Sequence, residues 1–120
     1  MLPEERNLAY VLDMVNAILA VSGFVRDIDM DAFLTDDVRT SAVKWQFIVI
    51  GEAANRLSTL FKETHSHIPW DSIRGLRNHL AHEYDRTDHA SMWQTIQKDL
   101  PLLLDQLIVL VPDPPTSDTV

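Results

Sequence analysis

The sequence predicts an all-α protein, an antiparallel bundle of four to five helices, and three observations carry that expectation. Apolar residues recur at intervals of three and four over long stretches. No segment of useful length shows the two-residue alternation of a strand. The periodicity breaks where glycine, proline or clustered aspartates stand. With 120 residues, 46% of them hydrophobic, the chain suits one compact core. One helical domain is expected over residues 1–111. The tail 112–120, with three prolines and little to bury, is expected to be disordered.

The elements follow in order. Leu8, Val11, Leu12, Val15, Ile18 and Leu19 mark a first helix from Glu4 to Val21, with Gly23 as its stop. Residues 27–36 are rich in aspartate and read as a connector, in which Asp29 or Asp31 caps a short turn carrying Phe33 and Leu34 inward. Asp36 or Asp37 caps a long central helix reaching about Glu63, with Val38, Ala42, Trp45, Ile48, Val49, Leu57, Leu60 and Phe61 on its buried side. Gly51, Ala53 and Ala54 form a patch of small residues in that helix, where another helix can approach closely. Pro69 ends the pattern, and a new helix starts near Trp70 or Asp71 and runs to about Tyr84. The last helix, capped by Thr87 or Asp88, runs toward Leu110, with Pro101 as a kink or a fresh first turn. Trp45 and Trp93, both on apolar sides, are expected to be largely buried.

Composition narrows the function. The chain has no cysteine, which excludes disulfides, a thiol nucleophile and thiolate zinc sites. Its net charge of −8 argues against tight non-specific binding of nucleic acid. The N-terminus lacks the order of a signal peptide and no apolar run approaches the ~18 residues of a membrane span, so a soluble cytoplasmic protein without membrane association is expected.

The informative stretch runs from Arg77 to Tyr84 (R-N-H-L-A-H-E-Y), with Arg74 and Arg86 nearby. On a wheel of ~100° per residue, Ile73, Leu76, Leu80 and Tyr84 share an apolar arc, and Asn78 shares a face with His82 and Asp85. His79 falls on the other side, so His79→Ala is expected to retain most activity. Metal-free RNA cleavage needs a base for the 2′-hydroxyl proton and a cation for the charge that builds on phosphorus. His82 and Arg77 suit those roles, and Asn78 can orient His82 or hold a phosphate oxygen. Spacing alone leaves open that these are solvated or capping residues. His79 and His82 with His65, His67 and His89 offer a metal-site alternative, disfavoured by the absence of an H-E-x-x-H pattern. His65 and His67 read as exposed loop residues. Glu52, in an apolar stretch, lies either on an exposed seam or against an Arg or His of the site helix, and the seam is the favoured reading. Tyr84 is either a core-edge aromatic or a site residue, and the wheel favours the former.

This string is similar to the signature of HEPN proteins, an arginine, a polar residue, three more residues and a histidine, and its H-x-Y extension resembles the HepT-like subgroup. Ala42 to Ser58, Ile68-Pro69-Trp70, Ile73 to Asn78 and Trp93 to Pro101 also resemble that family, so the likeness covers most of residues 4–110. The resemblance implies a HEPN-type bundle that forms a homodimer, with two site helices lining a shared cleft where RNA is cut. It implies Arg77 and His82 as catalytic residues and Asn78 as their polar support, with no cofactor and no metal. It implies the toxin of a type VII-like toxin–antitoxin pair, whose partner is a minimal nucleotidyltransferase antitoxin that in some systems adenylylates the motif tyrosine, here Tyr84. A catalytically silent HEPN dimer, serving as nucleotide-binding or assembly partner of a nucleotidyltransferase, is the alternative. The intact Arg77 and His82 pair favours the ribonuclease.

Overall fold

The computed structural model describes residues 2–81 and 86–112, and all its regular structure is helical, with no strand among the described residues. Helix α1 spans Pro3–Phe24, with Pro3, Glu4 and Glu5 in its first turn, where a missing N–H and negative charge are both favourable. By length and hydropathy α1 could cross a bilayer. Here Val11, Met14, Val15, Ile18 and Val21 are fully buried, and the helix packs on α3 (Asp37–Arg56) and α7 (Leu100–Ile108). Between α1 and α3, Asp27 takes a left-handed conformation with φ 63°. Asp29 caps α2 (Met30–Leu34) by accepting from Ala32 N–H at 2.9 Å, and α2 sends Phe33 into the core.

Asp36 caps α3, accepting from the Arg39 N–H at 3.0 Å and from its guanidinium at 2.6 Å. Those two bonds, the backbone one first, hold the Asp36 carboxyl below its ordinary value of 3.8. The stabilisation they give is present above that ordinary value and is lost as pH falls through the lowered one.

The long helix expected to reach Glu63 ends at Arg56. Leu57 and Ser58 are extended, and a separate α4 spans Thr59–Thr64. Ser58 caps α4 by accepting from Phe61 N–H, and buried Asn7 of α1 fixes the break from outside: its carbonyl accepts from Ser58 N–H and its amide donates to the Ser58 hydroxyl, both at 3.1 Å. With this break the described residues form one helical piece more than the expected four to five, counting α6 to α7 as one rod and α5 with its extension as another. The all-α bundle stands.

Trp45 and the outer apolar residues are where the structure corrects the expected packing. The buried stripe of α3 is Thr40, Val43, Lys44, Phe47, Ile50, Gly51, Ala53 and Ala54, which leaves Trp45 62%, Val38 82% and, on α4, Leu60 73% exposed. Because α3 carries apolar side chains on both flanks, periodicity alone does not choose its inner face. Trp93, expected to be largely buried, is half-buried, its ring tilted at 43° to Phe33 with centroids 5.3 Å apart.

After Pro69, α5 spans Trp70–Arg74 and passes into a 3-10 helix, Gly75–Ala81, rather than continuing as α-helix. The closing rod is α6 (Arg86–Gln94), a π-helical turn (Thr95–Asp99) and α7. Pro101 has no N–H for the carbonyl four residues back and crowds it, so the preceding turn widens, and Leu100 N–H bonds Thr95. His89, 1% exposed, donates from Nδ1 to the Leu34 carbonyl at 3.1 Å and ties α6 to α2. Apart from Pro112, the tail expected to be disordered lies outside the described residues.

Replacing Asn7 by Ala should destabilise the fold by about 1–2 kcal/mol, since the Ser58 N–H and hydroxyl both lose a partner. A urea midpoint equal to that of the parent would show that the break is held by other contacts.

Candidate active site

The motif segment lies across the middle of α3, and the contact depends on Gly51. A β-carbon at position 51 would stand 2.8 Å from Cγ and 3.2 Å from Cδ of Arg77, so only glycine lets the arginine stem pass there. The patch of small residues expected to admit a neighbouring helix does so, and the neighbour is the Arg77 segment. One residue on, Glu52 Oε1 forms an ion pair with Arg77, 3.0 Å from Nε. The favoured reading of Glu52 as a seam residue thus gives way to the other: its carboxylate is held by the site segment. With side chains 44% and 38% exposed, the pair is worth about 0–1 kcal/mol in stability, so its effect is orientation of the guanidinium.

The 3-10 geometry changes which residues share a face. At ~120° per residue side chains three apart eclipse, so Leu76 lines up with His79, and Arg77 and Asn78 stand on the other two sides. Leu76 is buried, His79 half-buried, and Arg77 and Asn78 exposed. His79 thus stands off the face of Asn78, as expected, and on the inner side of the segment. Its Nδ1 donates to Asp88 of α6 at 2.6 Å, and its ring lies against Phe47 with centroids 5.4 Å apart. Lys44 of α3, itself buried, reaches the other Asp88 oxygen at 3.9 Å. A polar network beneath the motif thus joins α3, the 3-10 segment and α6, and His79→Ala would take one partner from the buried Asp88 carboxylate. Lys44 and Asp88 were not legible as site residues. The only signal was one lysine among the apolar residues of α3.

His82 and Tyr84 lie outside the described residues, so of the expected site the structure places Arg77 and Asn78. His65 is half-buried against Phe61, with centroids 4.5 Å apart, while His67 is exposed as expected. Among the described residues no three His, Asp or Glu side chains gather as a metal site.

A family model for HepT-like ribonucleases matches residues 14–110, which takes in α3, the Gly51 crossing and the whole motif. The chain belongs to the HepT-like ribonuclease family. It is similar to "Probable ribonuclease HepT" of Thermococcus cleftensis, 34% identical over 78% of this chain and 86% of that protein. It is also similar to "Putative RNase TTE0752" of Caldanaerobacter subterraneus subsp. tengcongensis, 39% identical over 69% of this chain and 74% of the relative. A third relative, "Putative RNase MJ1380" of Methanocaldococcus jannaschii, is 28% identical over 85% and 94%. No solved structure matches at a comparable level. In this HepT-like chain the motif arginine is the residue seated over Gly51.

Gly51→Ala should couple to Arg77. In the parent, overpacking of about 1–3 kcal/mol opposes the roughly 1 kcal/mol that alanine gains over glycine in a helix. In an Arg77→Ala background only the gain remains. A urea double-mutant cycle should give a coupling of about 1 kcal/mol or more. Equal effects of Gly51→Ala in both backgrounds would contradict the close contact.

Proposed function

We propose that this chain is a metal-independent endoribonuclease, the toxin half of a HEPN and nucleotidyltransferase pair. The observation that carries the reading is the seating of Arg77. Its guanidinium is fixed by Glu52, half-exposed, and next to the exposed amide of Asn78. A permanent cation held in place but open to solvent suits a phosphate whose charge rises during reaction. In the proposed reaction His82 takes the proton of the 2′-hydroxyl, the 2′-oxygen bonds to phosphorus to give a 2′,3′-cyclic phosphate, the bond to the 5′-oxygen breaks and that oxygen takes up a proton from water, and Arg77 stabilises the added negative charge. Asn78 holds a non-bridging oxygen or orients His82.

A homodimer is part of the proposal. Val38, Trp45 and Glu52 follow at intervals of seven and so form one line along the outer face of α3, with Val38 and Trp45 exposed and Arg77 bound at the far end. A large apolar stripe facing water is suited to a second copy, and twofold pairing through it would bring two Arg77 segments to one cleft. The partner in the cell is a minimal nucleotidyltransferase antitoxin, with Tyr84 as the residue it adenylylates, and the pair acts in the cytoplasm.

Arg77→Ala and His82→Ala should each lower RNA cleavage by on the order of 10²–10⁴ with the helical circular-dichroism spectrum retained. Cleavage by the parent should persist in EDTA and spare DNA, which lacks the 2′-hydroxyl. Trp45→Glu should turn a dimer into a monomer by light scattering. Loss of activity in EDTA, or parental rates from His82→Ala, would contradict the mechanism, and a dimer unaffected by Trp45→Glu would contradict the interface.

A further inference from the structure

The change of helix type at Gly75 also sets the position of the arginine before it. Side chains three apart eclipse in 3-10 geometry, so Arg74 at the end of α5 and Arg77 stand nearly in line, roughly 6 Å apart along the axis. Arg74 lines a hollow of about 230 Å³ together with Lys62, Asn55, Ala54, Trp70 and Asp71. Ala54 and Asn55 lie one turn of α3 beyond Gly51, so the hollow adjoins the Arg77 seat on the same side of the molecule.

Its chemistry is that of an anion site. In a chain of net charge −8, two cations and a side-chain amide here face a single carboxylate, Asp71. Asp71 pairs with Arg74, but their side chains are 93% and 61% exposed, so the pair is weak and yields to a stronger anion. Lys62 makes no ion pair among the described residues. Its backbone is fixed, because the Trp70 indole N–H donates to the carbonyls of Lys62 at 3.2 Å and His65 at 3.1 Å. A second hollow of about 450 Å³ shares Lys62, Trp70 and Asp71, which gives room beside the indole for a nucleoside.

We propose that Lys62, Asn55 and Arg74 bind a backbone phosphate of single-stranded RNA next to the scissile one, with Trp70 flanking the attached nucleoside. The proposal rests on the ribonuclease reading and extends it. Arginine and lysine supply the charge-assisted donors that phosphate prefers. Cations spaced along one line beside an aromatic wall track a single strand without reading its sequence. The site also accounts for how an acidic protein holds RNA, through a local line of cations rather than its net charge.

The test is binding of a fluorescent 2′-O-methyl oligoribonucleotide, which lacks the nucleophile and is not cut, to the full chain by anisotropy. Lys62→Ala should weaken binding on the order of tenfold and reduce the slope of log affinity against log salt by about 0.7. Lys62→Arg should restore both. Asp71→Asn, which removes the competing carboxylate, should tighten binding, a gain that misfolding does not produce. AMP carries the phosphate on a lone nucleoside and should bind far more weakly than the oligomer. AMP binding as tight as the oligomer's, with the same dependence on Lys62, would assign the site to a free nucleotide and overturn the proposal. Parental affinity and salt slope in Lys62→Ala, with no gain in Asp71→Asn, would also overturn it, while cleavage by the parent would leave the ribonuclease reading standing. Lys62-dependent binding by a parent that cuts no RNA would do the reverse.

Discussion

The crossing of the Gly75–Ala81 segment over Gly51 is the contact on which the rest of the site depends. A side chain at position 51 would meet the arginine stem at its second carbon, which moves aside only by a turn about the first side-chain bond that carries the guanidinium away with it. The absence of a β-carbon therefore sets how near the motif comes to α3. That distance brings the Arg77 guanidinium to Glu52, and Arg77 to the end of the Val38 and Trp45 line. The cost of glycine inside a helix, roughly 1 kcal/mol against alanine, is offset by a seat that no other residue provides.

A second set of contacts holds the segment from beneath. Lys44, His79 and Asp88 come from α3, the 3-10 segment and α6, and their side chains are 9%, 14% and 10% exposed. Removing one partner of a buried polar network leaves the others desolvated, which makes such networks costly to break and effective in fixing geometry. The motif is thus held on two sides, by packing at Gly51 and by hydrogen bonding at Asp88. Its 3-10 geometry, uncommon over seven residues, is consistent with a segment positioned by its surroundings more than by its own propensity.

Much of the fold was legible because its signals are local. Asp29 and Asp36 cap the helices they precede, Pro69 starts a new one, and Pro101 opens a fresh turn. What the sequence hid depends on distant partners. The break at Leu57 and Ser58 is fixed by Asn7, on another helix. Trp45 was misplaced because α3 is apolar on both flanks. Within the site, the motif and the need for a small residue at Gly51 were readable, and the pairing of Arg77 with Glu52 was one of two open choices. His79 stands off the face of Asn78 as expected, but its bond to Asp88, on another helix, could not be read from a wheel.

The proposed reaction, with a positioned cation, a histidine base and no metal-bound water, would leave a distinctive mark on the cut strand. The most direct measurement is the mass of the 5′ fragment after the purified chain cuts a short defined RNA in EDTA. Attack by the 2′-oxygen predicts a fragment ending in a 2′,3′-cyclic phosphate, followed in time by its hydrolysed monophosphate. A 5′ fragment ending in a free 3′-hydroxyl, with the phosphate on the 3′ fragment, would mean that water and not the neighbouring hydroxyl attacks phosphorus, and would contradict the account.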